Sequence, residues 1–422
     1  MRRTFSTILG ALSAVMALLI ALPTISYQNL AWVIQMLLGE FSWIATLFGV
    51  SAVGLGALPR RKSSLGVTLG AFGALMSVVP FLQVRRAVRM NESAMRRTLG
   101  ETYDREIPTD MRVRIAQRRW SIETSLGERH FGNNHHCELE RDVVYSSTPQ
   151  RTLMLDVYRP TAPPPQGDLY PAIVVLHGGA WKTGNKGEVF TPHHRYLAGL
   201  GYTVFDIQYR FSTEVRWSES LEDVRAAVAC VRRYAAAYHV DPARVALLGR
   251  SSGGHLALLA AYSALAPSEV AAVVAIYPPT DLRLWISMPH TELTDFIGGT
   301  TTEKPADYNS ASPAEYVRDG LPPTMLIAGY RDDLVAPAHV ELLANKLAST
   351  DTPVVTLRVP WARHGFDAFL SGLGSQIIQY DIDRFLAWNL YNVNHRANDN
   401  GQPDGQQAQE KINALKGHDD DG

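Results

Sequence analysis

Residues 246–257 read Ala-Leu-Leu-Gly-Arg-Ser-Ser-Gly-Gly-His-Leu-Ala, and this stretch decides the fold. The run Arg244–Leu248 leads into Gly249-Arg250-Ser251-Ser252-Gly253, and an Ala/Leu-rich segment opens near Gly253. The order predicts a buried strand, a tight turn and a helix, with Ser251 at the apex of a G-x-S-x-G pattern. Glycines flank Ser251 because so tight a turn leaves no room for side chains on either side. The turn lifts the hydroxyl above the end of a sheet, and the helix behind it points its N-terminus at the reacting group. A serine hydroxyl is a poor nucleophile at neutral pH. A base, an orienting acid and an oxyanion-binding loop are therefore required elsewhere in the chain.

The loop is found upstream. Pro171–Leu176 is a continuous apolar run, as expected of a strand buried on both faces, and His177-Gly178-Gly179-Ala180-Trp181 follows it. A glycine pair beyond a central strand lets backbone N–H groups approach a developing oxyanion. Gly178 and Gly179 are the candidate donors, completed by the N–H of Ser252 after the nucleophile. Downstream, Thr324–Ala328 ends in Gly329-Tyr330-Arg331-Asp332-Asp333-Leu334-Val335. Asp332 is the candidate acid, and Asp333 suits an N-cap for the helix starting near Pro337. Val354–Val359 precedes Trp361-Ala362-Arg363-His364-Gly365-Phe366. Of the 13 histidines, His364 combines the right chain order, a post-strand loop and a following glycine. The set Ser251, Asp332 and His364 predicts nucleophilic acyl transfer, a chemistry that needs no metal or cofactor.

Around these motifs strands and helices alternate from residue 138 to 391. Strands are expected at Glu140–Tyr145, Arg151–Tyr158, Thr203–Gln208, Ala271–Tyr277 and Val354–Val359, and helices at Arg195–Leu200, Ser220–Tyr238, Gly254–Ala264 and Ala338–Ser349. The alternation predicts an α/β fold: a mostly parallel sheet with helices on both faces.

At this point the chain resembles the α/β-hydrolases of the esterase/lipase group related to hormone-sensitive lipase. It is most similar to bacterial feruloyl- and acetylxylan-esterase-like enzymes. The motifs are Leu155-Asp156-Val157-Tyr158-Arg159-Pro160, His177–Trp181, Tyr209-Arg210, the helix with Glu222-Asp223, Ala311-Ser312-Pro313 and Leu321-Pro322-Pro323-Thr324. Ala180 stands where many relatives carry a third glycine, which sets the chain apart from the lipase branch. The resemblance implies a carboxylic-ester hydrolase acting on short acyl or aryl esters. The same machinery also serves an amidase of the kynurenine-formamidase type or an acyltransferase. Trp181, Tyr277, Trp285 and Trp217 are candidates to wall the acyl pocket, and residues 280–312 are candidates for a small cap.

The first 84 residues lie outside that family pattern. Apolar stretches run from Thr4 to Ile25, within Leu30 to Leu58 and from Ser64 to Val84, each near the ~20 residues that cross a bilayer. They predict about three transmembrane helices, the first an uncleaved anchor since it lacks a small-x-small cleavage site. Basic clusters at Arg2 and Arg3, at Arg60–Lys62 and at Arg85, Arg86 and Arg89 nearly balance across three spans. A hydrolytic domain outside the cell is the expected orientation. The expected partners are an ester substrate and the lipid bilayer. A formal net charge of −1 gives no reason to expect nucleic acid. Residues 85–137 read as a juxtamembrane connector; its His130, His135 and His136, beside Cys137, do not have zinc-site spacing. Residues 392–422 are polar and expected to be disordered. On this reading the membrane region anchors the enzyme without contributing to its activity.

Overall fold

The computed structural model describes residues 2–23, 30–58, 62–116, 137–149, 151–165, 167, 169–187, 189–266, 269–284 and 290–392. The strands are β1 (Cys137–Ser147), β2 (Thr152–Pro160), β3 (Tyr170–Leu176), β4 (Thr203–Ile207), β5 (Val240–Arg250), β6 (Ala272–Ile276), β7 (Thr324–Gly329) and β8 (Val354–Val359). They form one sheet in the order β1-β2-β4-β3-β5-β6-β7-β8. β1 and β2 pair antiparallel, as do β2 and β4, and every later pairing is parallel. From β3 the chain moves outward to β4, then returns to the other side of β3 as β5. The carboxyl ends of β3 and β5 thus flank a topological switch point, where open α/β sheets leave a crevice. Leu176 pairs with Gly249 there, so the loops carrying Gly178 and Ser251 emerge side by side.

The N-terminal helices are α1 (Arg2–Ala21), α2 (Leu30–Glu40), α3 (Ser42–Ala57), α4 (Ser64–Ser77) and α5 (Val79–Leu99), followed by the short α6 (Tyr103–Glu106) and α7 (Thr109–Ala116). α1, α3 and α4 pack through small residues. Ser6 Oγ donates to Ala52 O at 2.8 Å and Ser13 Oγ to Ala45 O at 2.7 Å. Such contacts bring apolar helices close without a hydrophobic driving force between them. α2 and α3 meet at a 75° bend.

Residues 64–99 run as 36 helical residues, about 54 Å at 1.5 Å per residue. That exceeds a hydrocarbon core of ~30 Å, so the end of this helix extends beyond such a layer. Its last turns, α5, lie along β8. Asn91 Oδ1 accepts the N–H of Arg358 at 3.0 Å, and Thr98 Oγ1 donates to Val354 O at 2.8 Å. These bonds satisfy part of a strand edge that would otherwise be open to pairing.

The remaining helices are α8 (Thr191–Leu200), α9 (Trp217–Arg233), α10 (Ser252–Leu259), α11 (His290–Ile297), α12 (Pro305–Ser310), α13 (Ala338–Leu347) and α14 (Leu373–Tyr391). Side chains alternate across β3. Ala172, Val174 and Leu176 join the core under α9, α10 and α13, while Ile173 and Val175 join the one under α5, α8 and α14. The sequence reading lacked α14. Nearly all of its residues are buried, including Gln376, Gln379, Asp381 and Asp383, so it carries no amphipathic stripe to reveal it.

Candidate active site

Ser251 sits between β5 and α10 with φ 53° and ψ −122°, a strained conformation for a residue with a Cβ. The flanking glycines are a matter of space. A Cβ at Gly249 would lie 2.2 Å from Gly253 O, and one at Gly253 would lie 2.3 Å from Leu176 O.

His364 Nε2 is 2.9 Å from Ser251 Oγ, and His364 Nδ1 is 2.7 Å from Asp332 Oδ2. The carboxylate accepts a hydrogen bond from Nδ1–H, which leaves Nε2 free to accept from the serine. The other oxygen of Asp332 accepts the N–H groups of Leu334 and Val335, each at 2.9 Å. The turn beyond β7 therefore fixes the acid before the imidazole reaches it. Asp333 is not the helix cap that its position suggested. Its carboxylate faces Arg363 at 3.1 Å, and the residue before α13, Pro337, makes no side-chain cap.

The glycine loop is braced from behind. His177 Nδ1 lies 2.7 Å from Gly178 O, its ring stacks on Tyr209 at 4.5 Å, and Tyr209 Oη donates to His177 O at 3.0 Å. Gly178, Gly179 and Ala180 all line the cavity above Ser251. Gly179 has φ +128° and its position leaves no room for a Cβ, which would lie 2.0 Å from Thr183 O.

The pocket residues divide. Tyr277 lines the cavity, its ring 4.5 Å from that of His364 and its hydroxyl bonded to Asp367. Trp181 lies instead in the core, fully buried, stacked on Phe296 at 4.4 Å and donating its indole N–H to His255 Nδ1 at 3.2 Å. Its backbone has φ 57°, which swings the side chain away from the loop that Ala180 presents. Trp217 donates toward Asp307 at 3.4 Å and is likewise away from the cavity wall. Trp285 lies outside the described residues, as do His130, His135 and His136. Among the described residues, 280–312 supply nothing to that wall. Ser312, bonded to Leu282 N at 2.9 Å and to Tyr308 O at 2.6 Å, ties that segment down beside the sheet.

Several residues of the site were not legible beforehand. Arg250 Nε donates to Asp367 at 2.6 Å, Arg250 Nη2 lies 2.8 Å from His193 Nδ1, and the guanidinium sits 3.8 Å over the Phe190 ring. Arg250 lines the cavity with His194 and Asp206. The x of G-x-S-x-G is thus a buried arginine next to buried Ser251, and its charge in so apolar a stretch is the sequence signal that points to it. Tyr209-Arg210 and Asp223, noted only as motifs, prove to be joined: Arg210 meets Asp223 through Nε at 2.9 Å and Nη2 at 2.7 Å. The cavity encloses about 650 Å³, and its wall includes Trp32, Val33 and Met36 of α2.

The sheet order, the strand-to-helix serine turn and the loop after β3 define an α/β-hydrolase fold. Residues 155–347 match the BD-FAE family model. That stretch is similar to the BD-FAE family of hormone-sensitive-lipase-like α/β-hydrolases. Similar proteins include the probable carboxylic ester hydrolase LipM of Mycobacterium tuberculosis, 28% identical over 247 residues, covering 55% of this chain and 57% of LipM. Esterase LipC of the same organism is 29% identical over 267 residues, covering 58% of this chain and 64% of LipC. The chain thus spans less than two thirds of the length of these curated relatives. Among solved structures, an esterase from Thermogutta terrifontis is similar at a TM-score of 0.50 and 26% identity, over 60% of this chain and 93% of that one.

Proposed function

We propose that this protein is a membrane-anchored serine hydrolase of carboxylic esters that works through an acyl-enzyme. One observation carries the reading: Asp332, His364 and Ser251 are linked by bonds of 2.7 and 2.9 Å at the wall of a cavity of about 650 Å³. Ser251 Oγ attacks the ester carbonyl carbon as its proton passes to His364 Nε2, and Asp332 steadies the imidazolium. The carbonyl oxygen becomes an oxyanion facing the N–H groups of Gly178, Gly179 and Ser252. Collapse breaks the bond to the alcohol oxygen, which leaves with the proton from His364. Water then attacks the acyl carbon, losing its proton to His364, and Ser251 regains a proton as the acid departs. The esterase relatives support this choice of bond over an amide.

The anchor is read from α1, from the bent pair α2–α3 and from the helix over residues 64–99, which have the length and composition of two or, counting the pair as one, three spans. The N-terminus of α1 and the link between α3 and α4 lie at one end of the bundle, where Thr7 Oγ1 is 3.0 Å from Ser63 Oγ. In sequence, Arg2, Arg3, Arg60, Arg61 and Lys62 flank that end against Arg85, Arg86 and Arg89 beyond the third span; this slight excess, with the hydrolase reading, supports an outside location for the hydrolase domain.

A fluorophosphonate probe is expected to label the wild type and not Ser251→Ala, with hydrolysis of p-nitrophenyl acetate lost in parallel. A wild type that takes no label overturns the reading. An impermeant probe applied to sealed right-side-out vesicles is expected to reach Ser251; labelling only after lysis reverses the orientation.

A further inference from the structure

Part of the cavity wall does not come from the hydrolase domain at all. Trp32, Val33 and Met36 belong to α2, within the apolar N-terminal region, yet they share a cavity with Ser251 and His364. The fit is close: a Cβ at Gly365, next to His364, would lie 3.3 Å from Met36 Sδ and 3.4 Å from the Trp32 ring.

The position of α2 is built in. At its far end Glu40 accepts the indole N–H of Trp361 at 3.2 Å and the N–H of Gly374 at 2.6 Å. In its middle, Gln35 donates to Leu19 O at 3.2 Å and to Pro23 O at 3.1 Å, at the end of α1. Arg331 donates to Ile20 O at 2.8 Å and to Ala21 O at 2.5 Å, and Arg363 donates to Leu22 O. The last carbonyls of α1 thus meet two cations, as the negative end of a helix favours. Those cations directly precede Asp332 and His364 in the chain.

The surroundings of the cavity name its occupant. Leu30 and Ile34 of α2 are exposed, as are Val189 and Phe369 of the cavity wall, so apolar surface runs from the wall to the outside. The 75° bend turns α2 away from the direction of α3, so with α3 crossing the bilayer α2 lies toward the plane of the interface. The polar lining, His194, Asp206 and Arg250, comes from the sheet side instead. We propose that the ester taken by this site is a bilayer-resident amphiphile, its hydrocarbon chain along Trp32, Val33 and Met36 and its polar part toward Arg250, His194 and Asp206. The proposal rests on the membrane-anchored ester-hydrolase reading and specifies its substrate class.

The test uses the full chain in phosphatidylcholine nanodiscs with three esters: p-nitrophenyl acetate, p-nitrophenyl decanoate and decyl acetate. Each methylene taken from water is worth roughly fourfold. At least one long-chain ester is therefore expected to exceed p-nitrophenyl acetate by about a hundredfold or more in kcat/KM. Which one does so tells whether the acyl or the alcohol chain follows α2. Val33→Trp fills the space along α2 and is expected to lower that ratio at least tenfold, and Trp32→Ala is expected to lower it in the same direction. Val50→Ala, on the exposed face of α3 and away from the cavity wall, keeps the wild-type ratio. Fluorophosphonate labelling of Ser251 in each variant reports that the site is assembled. Labelled variants with an unchanged ratio overturn the proposal and leave the esterase reading standing. A wild type that neither takes label nor cleaves any of the three esters removes both.

Discussion

The carboxylate of Glu40 accepts the indole N–H of Trp361 across 321 positions of sequence, tying the break between α2 and α3 to the loop that carries His364. Glu40 also receives the N–H of Gly374 at the start of α14 at 2.6 Å. From sequence the apolar N-terminal region is expected to place the enzyme without making it active; in the structure it also supplies part of the cavity wall through Trp32, Val33 and Met36. The loop bearing His364, the proposed base, is held by α1 and α2 through the bonds of Glu40 and those of Arg363.

Glu40→Leu leaves the Trp361 and Gly374 donors buried and unpaired. A loss of about 2–4 kcal/mol in stability is expected. Displacement of the His364 loop is expected to lower kcat/KM by about 10–100-fold. Glu40→Gln keeps an acceptor and is expected to lose less of both. Thermal unfolding in detergent and hydrolysis of p-nitrophenyl acetate measure the two effects; an unaltered Leu variant would deny the brace any role.

Asp332→Asn tests the acid. Its Oδ1 can still accept from Leu334 and Val335, so the turn is expected to survive. The amide NH₂ then faces His364 Nδ1 and favours the tautomer with its proton on Nε2, which cannot accept from Ser251. A fall in kcat of about 10⁴-fold is expected with the fold intact. Comparable rates in variant and wild type would assign the orienting role to another residue.

Arg250→Met removes the cation 2.6 Å from Asp367, a carboxylate with no exposed surface. Stranding that charge is expected to cost about 3–5 kcal/mol, read from denaturant unfolding. Adding Asp367→Asn is expected to recover part of the loss, because a neutral amide needs no counter-charge. If the double variant is no more stable than the single, the ion pair is not the cause.

His255 supplies a pH dependence. It is fully buried, accepts from Trp181 through Nδ1 and donates through Nε2 to Ala311 O at 2.7 Å, an arrangement that suits only the neutral ring. Burial pushes its pKa down from 6.5 to about 4, opposed by the bond to Ala311. Between those values the unfolded chain binds the proton and the folded one does not. Stability is therefore whole above about pH 6.5 and falls as the pH drops toward about 4, by roughly 3 kcal/mol for this residue. His339, also pushed by burial to about 4, adds a loss of the same sign. Unfolding curves at pH 7 and 4.5 measure the sum, and His255→Gln is expected to narrow the gap. A gap of wild-type size in that variant would exclude His255.

The sequence alone determined the strand-to-helix turn at Ser251, the glycine loop at 178 and 179, the alternation of strands and helices, and the chain order of Ser251, Asp332 and His364. These were legible because each depends on local rules: how much space a turn leaves, and whether apolar residues recur with the period of a strand or a helix. Folding decided the rest. Trp181, adjoining the glycine loop, went to the core because its φ of 57° turns it there, and Asp333 went to Arg363 rather than to a helix cap. α14 stayed hidden because burial on almost every side leaves no polar face to give a period. The largest addition is α2. Within Leu30–Glu40 the polar Gln35 and Glu40 interrupt an otherwise apolar stretch, but the stretch does not say what they bind. That lay in long-range bonds, from Glu40 to Trp361 and from Arg331 and Arg363 to the end of α1, which no local pattern encodes.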